Sequence, residues 1–373
     1  MDKIKNKNDL DSKDLEEYNA SPNLVYEEDI VDVAECTFTI SNSFEAFMSV
    51  KDGKPYIVYQ EKDSKNLEVL KVLKNKYKLV SIIKGHNSAI TTIKYFLNKT
   101  NKIEYIISAD YNGIIIITSV TENFKKISHT KTDYINGQFS SCLMIFELNE
   151  PCDFDIKNGI ILISCKNNNV NLQLPIRMYL LDEKGNLENI KEYLGFINNT
   201  SYMLHWYNKK KKKNFIIGLG NNKIGITPLL SSHSSSEFKT DINTWYHSRL
   251  IYEDVENNRE ILYVNTILSL VILIDLNKKQ IISIIKTSSR MERLYSIIQW
   301  NDNYILIAGA TTPDIKIIDI KQQKCVGNIF IDHNDDFRCL RKIKHPKFGY
   351  CIITGSDDYT LKLYKLKEIN IIK

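Results

Sequence analysis

The chain has 373 residues, of which 43% are hydrophobic and 25% are charged, and its formal net charge is +5. These are ordinary values for a globular protein, and the mixing of acidic and basic residues along the chain argues against a dedicated nucleic-acid binder with one strongly basic face. No run of 18 apolar residues occurs and the N-terminus is polar, so we expect neither a membrane span nor a secretory signal. The seven cysteines form no CxxC pair, and we expect them to be small buried side chains in a cytoplasmic or nuclear protein.

Residues 1–28 are rich in Lys, Asn, Asp and Glu and show no sustained hydrophobic periodicity. A segment of this composition cannot bury enough apolar surface to offset the entropy that it loses on ordering. We therefore predict a disordered tail over residues 1–28 and a single folded unit over residues 29–373.

From about residue 29 onward, apolar and polar residues alternate in short runs separated by turn signals, which is typical of all-β sandwiches and propellers. The pattern is clearest around Asp358, where an apolar strand precedes a tight Asp-rich turn and another strand follows it. The same strand–turn–strand unit fits six earlier segments. The seven predicted turn centres lie at positions 64, 112, 168, 221, 268, 312 and 358.

Successive turn centres are 44 to 56 residues apart, close to the repeat length of four-stranded propeller blades. Seven such units fit the chain, but the last one has little chain left for a fourth strand. Residues 29–40 form a candidate strand that no unit uses. We therefore predict that this N-terminal strand completes the last blade and closes the ring, which removes an exposed sheet edge.

Two of the units carry polar and aromatic residues at corresponding positions: His86 and Ser108 in the second unit, and His333, Thr354, Asp358 and Tyr364 in the last. This arrangement resembles the WD40 family, in which such residues form a polar network within each blade. The resemblance implies a seven-bladed β-propeller in which these six residues are structural. Two departures are visible, since Asn112 replaces the turn Asp of the second unit and Tyr364 replaces an indole donor by a phenol.

The sequence contains no phosphate-binding loop, no HExxH motif and no GxSxG motif, and we expect no enzymatic activity, metal or cofactor. The acidic segment 332–336 lacks the ligand spacing of a calcium-binding loop, so it is interpreted as a solvated loop around a structural His.

Loops that lead into the innermost strands are the predicted interaction surface, because they contain arginine and aromatic residues of the types enriched at interface hot spots. These candidates are Tyr202, Trp245, Tyr246, Arg293, Tyr295, Asp336 and Arg338. For Trp245 and Tyr246, packing between neighbouring blades is the alternative interpretation.

Five consecutive lysines, Lys209, Lys210, Lys211, Lys212 and Lys213, lie between two predicted strands. They are a candidate patch for an anionic ligand such as RNA or an anionic lipid. No aromatic residues alternate with them, which weakens the case for single-stranded nucleic acid. We interpret the run as a solvated loop.

The sequence therefore favours a non-catalytic scaffold or adaptor that binds proteins or peptides within a multi-subunit complex. Three alternatives stay open. The first is a substrate receptor of a ubiquitin ligase, because Ile318-Asp319-Ile320-Lys321 faintly resembles the Trp-Asp-x-Arg ending of such receptors. The second is an RNA- or phosphoinositide-binding propeller that uses Lys209–Lys213. The third is a propeller enzyme with a site in the central channel.

Overall fold

A computed structural model describes residues 30–35, 44–99, 102–131, 140–147, 160–166, 176–181, 187–193, 202–220, 223–229, 236–239, 246–288, 292–309 and 314–366. All 28 secondary-structure elements in these ranges are β-strands. The same ranges contain no helix that is long and apolar enough to cross a membrane. The predicted tail 1–28, the turn centres 168, 221 and 312, and Trp245 lie outside the described residues.

The strands form seven four-stranded antiparallel sheets. The first strand is β1 (Ile30–Glu35). Sheet 1 contains β2 (Phe44–Met48), β3 (Pro55–Gln60), β4 (Leu67–Val72) and β5 (Tyr77–Ile83). Sheet 2 contains β6 (Ile90–Asn98), β7 (Ile103–Asp110), β8 (Ile114–Ser119) and β9 (Lys125–Lys131). Sheet 3 contains β10 (Ser140–Glu147), β11 (Ile160–Lys166), β12 (Ile176–Leu181) and β13 (Leu187–Tyr193).

The remaining sheets follow the same order along the chain. Sheet 4 contains β14 (Tyr202–Asn208), β15 (Lys213–Gly220), β16 (Lys223–Pro228) and β17 (Ser236–Lys239). Sheet 5 contains β18 (Tyr246–Asp254), β19 (Arg259–Thr266), β20 (Leu270–Asp275) and β21 (Gln280–Lys286). Sheet 6 contains β22 (Leu294–Gln299), β23 (Tyr304–Gly309), β24 (Asp314–Asp319) and β25 (Lys324–Phe330). Sheet 7 contains β26 (Phe337–His345), β27 (Gly349–Ser356) and β28 (Thr360–Lys365), together with β1.

The N-terminal strand supplies the fourth strand of sheet 7. β1 pairs antiparallel with β28, with Ile30 opposite Tyr364 and Glu35 opposite Thr360. The first strands of successive sheets contact one another from β2 to β26, and β26 in turn contacts β2. The all-β propeller that the sequence predicts is confirmed.

The core lies between neighbouring sheets. One buried cluster packs sheet 1 against sheet 7 through side chains that include Phe44, Ile57, Ile343 and Ile353. Because neighbouring sheets cover both faces of each sheet, the second and third strands read as continuous apolar runs, as in β8, where every residue is buried. The outermost strand β5 instead leaves Ile82 exposed. The side chains of Cys325, Cys339 and Cys351 are buried, as the sequence analysis expects of the cysteines.

Turns between the second and third strands repeat one backbone conformation. Gly113, Ser269 and Tyr359 occupy the same position in sheets 2, 5 and 7, and their φ angles are 76°, 57° and 65°. Left-handed backbone is uncommon for residues other than glycine, so its recurrence at one position indicates the same turn in all three sheets. The predicted turn centres 64, 112, 268 and 358 each lie between the second and third strands of a sheet.

Candidate functional site

A buried polar network lies in sheet 7. His333 precedes β26; its Nδ1 lies 2.9 Å from Asp358 Oδ2 and its Nε2 lies 2.7 Å from Thr354 Oγ1. Burial lowers the pKa of His333, although Asp358 acts in the opposite direction. Burial alone would raise the pKa of Asp358, but hydrogen bonds from Thr360, the Asn334 N–H and His333 lower it to about 2. The ring is therefore neutral near pH 7, with both nitrogens engaged inside the sheet.

Tyr364 joins this network in an unexpected way. Its phenol oxygen accepts a hydrogen bond of 3.0 Å from the backbone N–H of Asp332, and its ring lies edge-on to that of His333, with 6.4 Å between the centroids. The phenol of Tyr364 therefore acts as a hydrogen-bond acceptor for a backbone N–H. The sequence analysis had treated it only as a different side-chain donor in place of an indole.

Sheet 2 contains a related network with a displaced carboxylate. His86 Nε2 lies 2.7 Å from Ser108 Oγ, and His86 Nδ1 lies 3.4 Å from Asp110 Oδ2. Asp110 Oδ1 also accepts hydrogen bonds from the N–H groups of Asn112 and Ile114, at 3.0 and 2.9 Å. Burial would raise the pKa of Asp110, but hydrogen bonds from His86 and from the backbone N–H groups of Ile114 and Asn87 lower it. The unit therefore keeps its carboxylate, which the alignment of Asn112 with the turn Asp had missed.

The strongest candidate for an external site lies between sheets 6 and 7. We define the Arg338 cluster as Arg293, Tyr295, Asp336, Arg338 and Asp357. Two hydrogen bonds join the Arg338 guanidinium to the Asp357 carboxylate, one of them 2.5 Å long between Nε and Oδ1. The guanidinium carbon lies 5.0 Å from the Tyr295 ring centroid, and Arg338 Nη2 lies 4.0 Å from Asp336 Oδ2.

Burial differs within the Arg338 cluster. Tyr295 is only 5% exposed and forms a platform beneath Arg338, whose side chain is 27% exposed. Arg293 is exposed, and a hydrogen bond with Tyr295 raises its pKa. Burial raises the pKa of Asp336; Arg338 opposes this effect and Asp357 adds to it. The cluster thus presents a fixed arginine, a second arginine and a carboxylate at one surface.

Two residues that the sequence reasoning missed belong to the same surface. Asp357 holds Arg338, and the adjacent Tyr359 is 45% exposed. Lys62 Nζ, from sheet 1, lies 5.2 Å from the Tyr359 ring centroid. The sequence signal for Asp357 was the Asp357-Asp358 pair. The buried network around His333 uses only Asp358, which leaves Asp357 to contact another residue.

Four of the seven predicted interaction residues, Arg293, Tyr295, Asp336 and Arg338, therefore come together. Tyr202 and Tyr246 begin β14 and β18, but their side chains lie outside the described part of the structure, as does all of Trp245.

The lysine run lies at the opposite end of the sheets, because antiparallel strands place successive turns at alternate ends. Lys209 to Lys212 form the β14–β15 turn, and Lys213 begins β15. Lys209 Nζ lies 2.5 Å from Glu253 Oε1, and Lys210 Nζ donates a 2.9 Å hydrogen bond to the Asn258 carbonyl. Both partners belong to the neighbouring β18–β19 region, so part of this run links two sheets.

A cleft of about 600 Å³ adjoins this region, between sheets 5 and 6. Its charged lining residues are Glu253, Asp254, Glu256, Arg259, Asp302 and Lys321. Four carboxylates against two cations make the cleft acidic, which reduces the attraction of the adjacent lysines for an anionic ligand.

The segment 318–321, which resembled a ubiquitin-ligase receptor motif, lies partly in this cleft. Ile318 and Ile320 are buried, and Asp319 Oδ1 accepts a hydrogen bond of 2.8 Å from the Gln322 N–H. Lys321 is exposed and pairs with Glu256 at 3.3 Å. Ile318 and Ile320 therefore contribute to the core, and Asp319 stabilises the following turn.

No protein-family model matches the chain, and no curated protein matches it. Among solved structures, the chain is similar to a crystal structure of BBS1N in complex with ARL6DN, soaked with lead, with a TM-score of 0.62 and 9% sequence identity. The match covers 91% of this chain and 96% of the other. A mercury-soaked structure of the same complex has a TM-score of 0.63 and 9% identity, with coverages of 92% and 97%. At this identity the similarity concerns the fold.

Proposed function

We propose that the chain is a seven-bladed WD40-like propeller, closed by β1, that binds protein or peptide partners and does not catalyse a reaction. Seven four-stranded sheets and the pairing of β1 with β28 support the closed ring. The internal networks of His86 and His333 support the WD40-like character. The His86 and His333 rings form hydrogen bonds inside the sheets and are not directed at a surface substrate. This favours binding over catalysis.

The observation that carries the proposal is the Arg338 cluster. Paired hydrogen bonds with Asp357 and the Tyr295 platform hold the guanidinium in one orientation while part of it stays exposed. A side chain that is already ordered loses less entropy on binding. Arginine and aromatic residues also dominate interface hot spots.

The structural neighbours are consistent with this role. The BBS1N propeller was crystallised in complex with another protein, ARL6DN. We propose that the present propeller likewise docks a protein, through the end of the sheets that carries Arg293, Arg338 and Tyr359.

Site-specific photo-crosslinking in native extract tests this proposal. A crosslinking amino acid at Tyr359 should capture a partner protein, whereas one at Val255, which is 76% exposed at the opposite end, should not. Arg338→Ala should abolish the capture, and Lys321→Ala, which removes an exposed cation from the opposite end, should leave it unchanged. Equal capture by both variants, or turnover of a small substrate by the purified protein without a partner, would contradict the proposal.

A further inference from the structure

The outermost strand of sheet 1, β5, leaves an apolar edge exposed to solvent. Leu79, Val80 and Ile82 are 46%, 37% and 42% exposed. β5 is the last strand of its sheet, and no described segment forms backbone hydrogen bonds with its outer edge. The edge therefore offers backbone N–H and C=O groups beside apolar side chains, which is the combination that pairs with an added strand.

The outer strands of sheets 2, 5 and 6 have a different character. β9 carries exposed lysines at positions 125, 126 and 131 and no exposed large apolar side chain. β21 and β25 each expose a single one, Ile284 and Phe330. Charged residues on an edge strand oppose its pairing with another chain. The three exposed apolar side chains of β5 therefore distinguish it from these three outer strands.

The register of β5 gathers its apolar side chains on one face. Leu79 lies opposite Leu70, which belongs to the buried cluster between sheets 1 and 7. The pairing with β4 shifts at Val80, so Ile82 lies on the same face as Leu79 although it is three residues further along. Tyr77 also packs against this cluster. Tyr77, Leu79 and Ile82 thus form a stripe that continues the core to the open edge of the sheet.

Lysines surround this apolar stripe. Lys78 lies on the opposite face of β5, Lys74 and Lys76 precede the strand and Lys84 follows it. All four are exposed, and none of them forms an ion pair with another residue in the described part of the chain. A partner with acidic residues is therefore complementary in charge to this edge.

The same lysines disfavour a second copy of the chain at this edge. Two β5 strands paired antiparallel about Val80 would place Lys76 of one copy opposite Lys84 of the other. Like charges that face each other destabilise a pair of strands. The charge of the edge thus selects an acidic partner over self-association.

We propose that β5 is a second docking surface, which binds an extended segment of a partner protein with alternating apolar and acidic residues. The segment adds to sheet 1 as a fifth strand. Its apolar side chains cover Leu79 and Ile82, and its carboxylates lie on the other face near Lys78. Backbone hydrogen bonds supply the affinity, and the alternating side chains supply the specificity.

Fluorescence polarisation of a labelled peptide with the sequence Glu-Val-Glu-Val-Glu-Val-Glu, titrated with the full chain, tests the site. The wild-type chain should bind it, and binding should protect the β5 backbone N–H groups from hydrogen exchange. Leu79→Lys removes an apolar contact and adds a charge, so it should raise the dissociation constant at least about tenfold. Lys78→Glu should raise it several-fold at low ionic strength and less at high ionic strength.

Val255→Lys and Lys131→Glu are the matched controls, because they make the same two changes at exposed positions outside β5. Their dissociation constants should stay within about twofold of the wild-type value. Arg338→Ala should also leave binding unchanged, which separates this surface from the Arg338 cluster.

Modified peptides test the mode of binding. A peptide with lysines in place of the glutamates should bind at least about tenfold more weakly. N-methylation of either its valines or its glutamates should remove binding, because alternate N–H groups of the added strand face β5.

The proposal is overturned if the wild-type chain does not bind the Glu-Val peptide or if both N-methylated peptides bind as tightly as the unmodified one. Equal weakening by Arg338→Ala and Leu79→Lys would place the peptide at the Arg338 cluster and overturn it as well. A wild-type dimer that Leu79→Lys dissociates would assign the edge to a second copy of the chain instead.

Discussion

The Asp110 carboxylate lies 3.4 Å from Nδ1 of His86, although Asp110 stands two residues earlier in its unit than Asp358 does in the last one. Ser108 and Thr354 occupy corresponding positions in β7 and β27, and each contacts the Nε2 atom of its histidine. The chemistry of the network is thus kept while the position of its carboxylate shifts. This explains why sheet 2 tolerates Asn112 in the turn.

Asp110→Asn should destabilise the protein more than Asn112→Ala. The first change removes a buried charge that serves the His86 ring and the backbone N–H groups of Asn87, Asn112 and Ile114. It should lower the free energy of unfolding by about 1–3 kcal/mol. Asn112 contributes an exposed side-chain contact to Asn87, so its loss should cost about 0.5 kcal/mol or less. Urea denaturation of both variants gives the comparison. Equal losses would mean that the position-112 side chain, and not Asp110, supports the network.

His333 should make stability depend on pH. Its folded-state pKa is lowered below that of the unfolded chain, so the unfolded chain binds protons more readily. The contribution of His333 is full above about pH 6.5 and is lost as the pH falls through 6.5 towards the folded pKa. Asp358, with a pKa of about 2, stays ionised throughout that range.

His333→Gln should therefore be less stable than wild type near pH 7 but lose less stability between about pH 7 and pH 5. Urea denaturation across this range measures the difference. His205 and His345, whose pKa values burial also lowers, are present in both proteins, so the comparison isolates His333. Parallel pH profiles would show that the imidazole does not titrate differently in the folded chain.

The strands and the polar network of sheet 7 could be predicted from the sequence because both depend on short-range patterns. Alternation of apolar residues marks β27 and β28, and His333 lies 25 residues from Asp358 within one repeat. The pairing of Arg341 with Glu45 joins residues 296 positions apart. Such a contact depends on which sheets meet at the centre, and no local pattern encodes that.

The Arg338 cluster illustrates the same limit at the surface. Arg338 and Tyr295 were recognisable as residue types in loops that lead into first strands. Their stacking depends on the packing of sheet 6 against sheet 7, and the pairing of Arg338 with Asp357 depends on the register of β26 against β27 within sheet 7. The sequence could therefore identify candidate residues of this surface. It could not show that Tyr295 is buried beneath Arg338 while Arg338 stays partly exposed.

Glu104 should be a major stabilising contact between sheets 1 and 2. This fully buried carboxylate on β7 accepts hydrogen bonds from Ser49 Oγ at 2.9 Å, the Val50 N–H at 2.7 Å, the Lys51 N–H at 3.1 Å and Tyr95 Oη at 2.8 Å. Glu104→Gln replaces one acceptor oxygen with a donor that faces other donors. We expect the free energy of unfolding to fall by about 2 kcal/mol or more.

Glu122→Gln is the matched control for this change. The Glu122 side chain is 56% exposed and lies 3.5 Å from Lys125, so neutralising it should change stability by at most about 0.5 kcal/mol. Both variants can be compared by urea denaturation. Similar effects would show that the hydrogen bonds to Glu104 add little beyond its charge.

Removal of β1 should open the propeller. A chain that begins at residue 29 keeps the pairing of Ile30 to Glu35 with β28, and we expect it to unfold like the full chain. A chain that begins at residue 37 leaves β28 as an unpaired edge. Loss of several backbone hydrogen bonds should cost on the order of 3 kcal/mol, and the free edge should promote association. Urea denaturation and size-exclusion chromatography measure the two effects.

A peptide of residues 29–40, added in excess to the shorter chain, should restore its stability by strand addition. If the shorter chain were as stable and as monomeric as the longer one, β1 would not be the strand that closes the ring.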